Sequence, residues 1–213
     1  MIPPHLLTKQ EQQTVSYYNQ HGEAWVDKYS SVNKASFWTE EIKTLTQLKP
    51  TGKLLEIGSG AGVEAQLLCQ KNYNYIGIDI SPTLLAIAQQ RNPHATFLEA
   101  SLYDLPFQAN EFDIFWAAAV FLHIPKNRLD EALSSLTRVL KRDACGFISL
   151  KAGNGEEVDK ETNRFFSYFT TEEFTQFLNN HNFVVTHAYE KICTKKTNPQ
   201  TWLVFFVTYK PLT

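Results

Sequence analysis

The chain is poor in the features that mark several protein classes. It has three cysteines in 213 residues, Cys69, Cys145 and Cys193, far apart and in no metal or redox spacing. That argues against a disulfide-stapled scaffold or a zinc site, and an odd count without a framework fits a reducing cytosol. Cys69 and Cys145 lie in apolar surroundings and are expected to fill the core. There is no basic excess: 20 Lys and Arg stand against 22 Asp and Glu, and the cations are scattered. The footprint of a nucleic-acid binder is therefore missing. No apolar run reaches the about 20 residues needed to cross a bilayer. Met1-Ile2-Pro3-Pro4-His5 lacks the basic-then-apolar order of a secretory signal. Repeats, low-complexity tracts and linkers are also lacking. These absences predict a cytoplasmic protein with no membrane span and no nucleic-acid partner, monomeric or homodimeric.

What is present is ordinary for one globular domain: 43% apolar and 20% charged residues. The length suits a single sizeable core and is too short for two common α/β domains. Residues 8–48 are polar with spaced aromatics, and their period predicts three helices, roughly 9–20, 22–29 and 36–48. Pro50-Thr51-Gly52 then breaks the chain. Residues 1–48 are thus a helical cap or lid segment, and 49–213 the main domain. Strands and helices alternate from there: strand 53–57, helix 62–71, strand 74–79, a helix opened by Ser81-Pro82 and running to about 91, and strand 95–99. Strand 112–116 is apolar throughout, as a strand buried on both faces should be. A helix over about 126–140 carries Leu129, Leu133, Leu136 and Leu140 on one stripe. Strand 145–150 and a helix over 172–180 follow. The segments 184–192 and 202–209 form a terminal hairpin. The pattern predicts a Rossmann-like, doubly wound α/β fold. Its seven-stranded sheet is mostly parallel, with one antiparallel strand near the C-terminus and helices on both faces.

The most informative stretch is Leu54-Leu55-Glu56-Ile57-Gly58-Ser59-Gly60-Ala61-Gly62. An apolar strand ending in alternate glycines brings backbone N–H groups close to a ligand. Seventeen residues past Gly62, the run Tyr75-Ile76-Gly77-Ile78 ends in Asp79. A carboxylate at the tip of the second strand is placed to accept hydrogen bonds from ribose hydroxyls. The dinucleotide fingerprint is G-x-G-x-x-G, which needs a third glycine where this chain has Val63. Here the spacing is G-x-G-x-G, with Glu56 two residues ahead. An acid there suits a ligand with an ammonium group better than one with a pyrophosphate.

These motifs resemble the class I S-adenosylmethionine-dependent methyltransferases. The resemblance implies S-adenosylmethionine as cofactor and S-adenosylhomocysteine as product. It implies that Glu56, Gly58, Ser59, Gly60 and Gly62 form the methionine-side loop, that Asp79 holds the ribose, and that Ile80 packs beside the adenine. In Ala100-Ser101-Leu102-Tyr103-Asp104-Leu105-Pro106-Phe107, a serine stands where many members have an acid facing the adenine amino group. The resemblance then implies the hydroxyl of Ser101 and the backbone of Leu102 for that role. Ala117 begins a run of small residues that leaves space beside the sulfonium. His123, in Leu122-His123-Ile124-Pro125, is either a catalytic base or a backbone brace. Residues 15–210 resemble a subgroup of small bacterial methyltransferases.

Acceptor contacts are expected from Trp25, Phe121, Lys151, Arg164 and Tyr168. The aromatics Tyr17, Tyr18, Trp25 and Tyr29 either form a lid that excludes water from the sulfonium or merely cover the sheet, with Tyr17 and Tyr18 foremost as cofactor contacts. Asp/Asn-Pro-Pro-Tyr, a Pro-Cys nucleophile and an acidic Mg²⁺ cluster are all missing. The expected chemistry is metal-free, in-line methyl transfer to a small molecule at oxygen or carbon. The rivals are a methyltransferase-like module without turnover and a nucleotide-dependent oxidoreductase.

Overall fold

The computed structural model describes residues 6–29, 37–193 and 199–211, without the side chains of 25–29. Its helices are α1 (Lys9–Tyr29), α2 (Thr39–Leu48), α3 (Ala65–Leu68), α4 (Pro82–Arg91), α5 (Leu129–Val139) and α6 (Thr171–Asn180). Its strands are β1 (Thr51–Ile57), β2 (Asn72–Asp79), β3 (Thr96–Glu99), β4 (Phe112–Ala118), β5 (Leu140–Lys151), β6 (Glu156–Val158), β7 (Phe165–Ser167), β8 (Phe183–Cys193) and β9 (Gln200–Tyr209). Seven strands form one sheet in the order β3-β2-β1-β4-β5-β9-β8. The first five in the chain pair in parallel, and β9 runs antiparallel between β5 and β8.

Alternation along the central strands sends neighbouring residues to opposite faces. Leu55, Ile57, Phe115, Ile148 and Phe205 join the leucine stripe of α5 and the Phe174 and Leu178 of α6. Leu54, Ile114, Trp116, Phe147 and Phe206 pack with Trp38, Ile42 and Leu45 near α2. Each fully buried aliphatic or aromatic side chain contributes about 1.5–3 kcal/mol. Together the two clusters make the sheet a rigid base whose strand ends carry the loops.

Several element bounds differ from expectation. The two short helices expected over 9–29 are one, because Gly22 is a packing residue and no breaker. A Cβ at Gly22 would meet Leu84 Cδ2 at 3.1 Å, so the missing side chain lets α1 rest on α4. The helix expected over 62–71 shrinks to the four residues of α3. This leaves Cys69 exposed, and its expected place in the core is corrected. Strand β5 starts at Leu140, earlier than expected, because a bulge separates the Phe112↔Leu140 and Ile114↔Cys145 pairs. Between β5 and α6, where the sequence signals no element, the hairpin of β6 and β7 pairs Glu156 with Ser167 and Val158 with Phe165. Ser81 caps α4 by accepting from Leu84 N, and Thr170 caps α6 by accepting from Glu173 N.

Candidate active site

The glycine loop turns at the carboxyl end of β1. Gly58 has φ +66°, and a Cβ there would come within 2.5 Å of Val120 Cγ2. Gly60 has φ +51°, with no atom within 4 Å of where its Cβ would sit. The first glycine is small because protein presses on it, the second because open space lies beside it. Asp79 ties this loop to β2: one carboxylate oxygen accepts from Gly60 N at 2.9 Å, the other from Ser81 N at 2.8 Å. Burial pushes the carboxyl of Asp79 above its usual range against these N–H groups. Ser59 N donates to Ile78 O, a second tie to β2.

Above the strand ends lies a cavity of ≈ 220 Å³. Gly58, Gly60, Asp79, Ile80, Ser101 and Leu102 line it from the sheet side, and Ala118, Ala119 and Val120 from the end of β4. Helix α1 roofs it with Glu11, Thr14, Val15 and Tyr18. Those residues recur at helical spacing, so one face of α1 looks into the cavity. Four polar contacts pin the roof. Tyr103 Oη donates to Glu11 Oε1, and Arg128 Nη1 donates to Glu11 Oε2 at 2.8 Å. Phe165 N donates to Thr14 Oγ1 at 2.9 Å, and Ser81 Oγ donates to Asn19 Oδ1 at 2.6 Å.

His123 lies where roof and sheet meet. Its Nδ1 is 2.7 Å from Phe165 O, an oxygen that can only accept, so Nδ1 carries the hydrogen. Nε2 is then the acceptor for Tyr18 Oη at 3.0 Å. Arg164 Nη1 donates to the same phenol oxygen at 3.1 Å. Burial, aided by the charges of Arg164 and Lys151, brings the pKa of His123 down to about 3. Burial raises that of Tyr18, with Arg164 opposing it.

Several expected contacts are placed elsewhere. Phe121 is fully buried against Phe174, so it is a core residue and no acceptor contact. Ala117 is fully buried in the sheet core, and its neighbours Ala118 and Ala119 line the cavity instead. Gly62 faces α4, where its carbonyl accepts from Asn92 Nδ2 at 2.9 Å. Glu56 is buried beneath the loop and accepts from Tyr75 Oη. Burial and the like charge of Glu64 raise its carboxyl well above the usual range. The Ser59 hydroxyl is buried without a hydrogen-bond partner among the described residues. Tyr17 stands one place off the cavity, edge-on to Tyr18 and beneath Arg164. Lys151 stacks on Phe166, and Tyr168 Oη donates to Glu157, so both lie a layer behind the cavity wall. The side chain of Trp25 lies outside the described residues.

The sequence reading missed Glu11, Thr14, Val15 and Tyr103. The first three share a helical stripe with Tyr18 that already lies within the helix expected over 9–20, a signal that could have found them. Among the described residues, no three His, Cys, Asp or Glu side chains cluster to hold a metal ion.

Known proteins resemble this chain in sequence and in fold. Residues 55–148 match the family model of the methyltransferase domain. A 2-phytyl-1,4-naphtoquinone methyltransferase of Trichormus variabilis is 32% identical over 130 residues, covering 56% of this chain and 55% of that protein. An 18S rRNA (guanine-N(7))-methyltransferase of Mus musculus is 30% identical over 129 residues, covering 56% of this chain and 46% of that protein. The chain thus spans about half the length of the curated relatives it matches. Among solved structures, the 1,6-didemethyltoxoflavin-N1-methyltransferase of Burkholderia thailandensis has the same fold. Its TM-score is 0.76 at 17% identity, covering 99% of this chain and 92% of that one. In sequence over residues 55–148 and in fold over nearly its whole length, the chain is similar to S-adenosylmethionine-dependent methyltransferases.

Proposed function

We propose that the protein transfers a methyl group from S-adenosylmethionine to a small, largely apolar acceptor in the cytosol, at oxygen or carbon. The observation that carries this reading is the pairing of Asp79 with Gly60. Each Asp79 oxygen takes one backbone N–H and keeps a lone pair for a ribose hydroxyl. Gly60 leaves an open cradle beside it, and Ile80, Leu84 and Leu102 offer apolar surface to a purine. Ser101 and Leu102 fit the adenine edge, while Glu56, Ser59 and Gly62 support the loop from behind.

When bound, S-adenosylmethionine supplies an electrophilic methyl group on a sulfonium. The chain's own part is to align, to cover and to manage a proton. Residues 1–48 serve as the cap, and the face of α1 keeps water out. A net charge of −2 speaks against a nucleic-acid acceptor. The name of the naphtoquinone relative supports an apolar one.

Calorimetric titration with S-adenosylhomocysteine, and with NAD as control, tests this reading. Micromolar binding of the first and none of the second is expected. Binding of neither, by folded protein, would remove the cofactor assignment.

A further inference from the structure

Among the described residues two carboxylates line the cavity, Asp79 from the floor and Glu11 from the roof. Glu11 is only 5% exposed. Its Oε2 is filled, accepting from Arg128 Nη1 and from Thr8 N, each at 2.8 Å. Its Oε1 accepts from Tyr103 Oη. A carboxylate oxygen has two lone pairs, so Oε1 keeps one acceptor place among the described residues. An unfilled acceptor on a buried, charged oxygen is costly until a ligand fills it. Tyr103 also fixes where Glu11 stands. It lies just past the end of β3, beside Leu102, and β3 pairs with the β2 that carries Asp79. Ser101 is a weaker candidate for that place. Its hydroxyl is uncharged and already accepts from Tyr103 N at 3.2 Å.

We infer that Glu11 is a cofactor-binding residue whose Oε1 accepts a hydrogen from the exocyclic amino group of the adenine, so that the roof helix selects the base. This rests on the S-adenosylmethionine reading. A base that reaches from the ribose at Asp79 over Ile80 and Leu102 turns its far edge toward Tyr103 and Glu11. The amino group of adenine brings hydrogens, and a carboxylate can only accept them. A base with an oxygen at that position sets two acceptors face to face, and a base with hydrogen alone leaves Oε1 unfilled. Tyr103 and Arg128 are positioning residues that hold the carboxylate at the cavity wall. Because Glu11 also pins α1, recognition of the base and closure of the roof are one event.

The test titrates two ligands calorimetrically into the full chain: S-adenosylhomocysteine, and its analogue with hydrogen in place of the 6-amino group. They share ring nitrogens, ribose and amino-acid tail, so a looser roof cancels in the ratio of their dissociation constants. Wild type should prefer the amino form at least about tenfold, the size of one hydrogen bond to a charged oxygen. Glu11→Met, similar in length and without an acceptor oxygen, should bring the ratio to within about threefold. Glu11→Gln keeps the shape and should also lower the ratio, whichever way the amide turns. A neutral oxygen holds an amino hydrogen about half as strongly, and an NH₂ group does not accept it. Asn19→Ala frees the other end of the roof by removing the acceptor of Ser81 Oγ, and should leave the ratio as it is. Ser101→Ala should keep the preference as well. Equal binding of the two ligands by wild type overturns the inference. So does a preference undiminished in both Glu11 variants, or one lost in Ser101→Ala or Asn19→Ala. Should Glu11→Met not fold, Glu11→Gln decides alone. A wild type that binds neither ligand sinks the cofactor reading instead, so the two failures are distinct.

Discussion

Tyr18 and His123, 105 residues apart in the chain, meet at 3.0 Å between phenol oxygen and Nε2. The contact joins the roof helix to the segment after β4, across the space between them. It also fixes the hydrogen positions of both side chains, because the other ring nitrogen is committed to a carbonyl.

The joint gives His123 a pH signature. Its folded pKa, about 3, lies below the ordinary value of 6.5. Between those values the unfolded chain takes up a proton that the folded protein refuses. Its contribution to stability is therefore full above about pH 6.5 and shrinks as pH falls toward 3, by up to about 1.4 kcal/mol per pH unit. His123→Asn keeps a donor for Phe165 O and removes the titration. Denaturant unfolding from pH 4 to 7.5 should show a shallower acid loss in the variant than in wild type. Identical slopes would mean that His123 titrates normally. The raised carboxyls of Glu56 and Asp79 act with the opposite sign, and the variant comparison cancels them.

Asp79→Ala should weaken S-adenosylhomocysteine binding at least tenfold, about 1.4 kcal/mol. It removes the acceptors of Gly60 N and Ser81 N along with the proposed ribose contact. Calorimetry on variant protein of native circular dichroism checks this, and an unchanged dissociation constant removes Asp79 from the site.

Gly58 and Gly60 should separate stability from binding. Gly58→Ala meets a positive φ and a clash with Val120, and should cost at least about 2 kcal/mol of stability. Gly60→Ala meets only the backbone penalty, about 1 kcal/mol, but its methyl enters the cradle. Thermal unfolding and ligand titration of both should therefore rank them in opposite order. The same order in both assays would refute the distinction.

Glu11→Gln should loosen the roof. A wholly buried ion pair costs about 3–5 kcal/mol to break, but Arg128 keeps Glu131 as a partner, so about 2 kcal/mol is expected. Amide exchange over residues 9–24 should accelerate more than over β4. Uniform acceleration would show that α1 does not open by itself.

The seven-stranded, mostly parallel sheet and the floor of the cavity were legible because they rest on local signals. Alternate glycines and an acid at a strand tip keep their meaning wherever the chain goes. The misplaced contacts fail for a geometric reason. Ala117 and Ala118 are neighbours in sequence, yet successive strand residues face opposite ways, so an error of one position moves a residue from cavity to core. Phe121 fails likewise: an aromatic beside a site and an aromatic beneath it read the same. The roof was least legible, because the stripe at Glu11, Thr14, Val15 and Tyr18 carries no local sign of what it faces. Glu11 reads as a surface acid until Arg128 and Tyr103 arrive from far along the chain.

The cavity draws its floor and its roof from separate stretches of sequence. The floor comes from residues 57–60 and 78–80, and the roof from residues before 25, pinned by side chains of Tyr103 and Arg128 and by the backbone of Phe165. Substitutions along one face of a single helix can therefore reshape the roof without disturbing the floor. A cavity built this way can hold its floor constant and vary its ceiling through about two turns of helix.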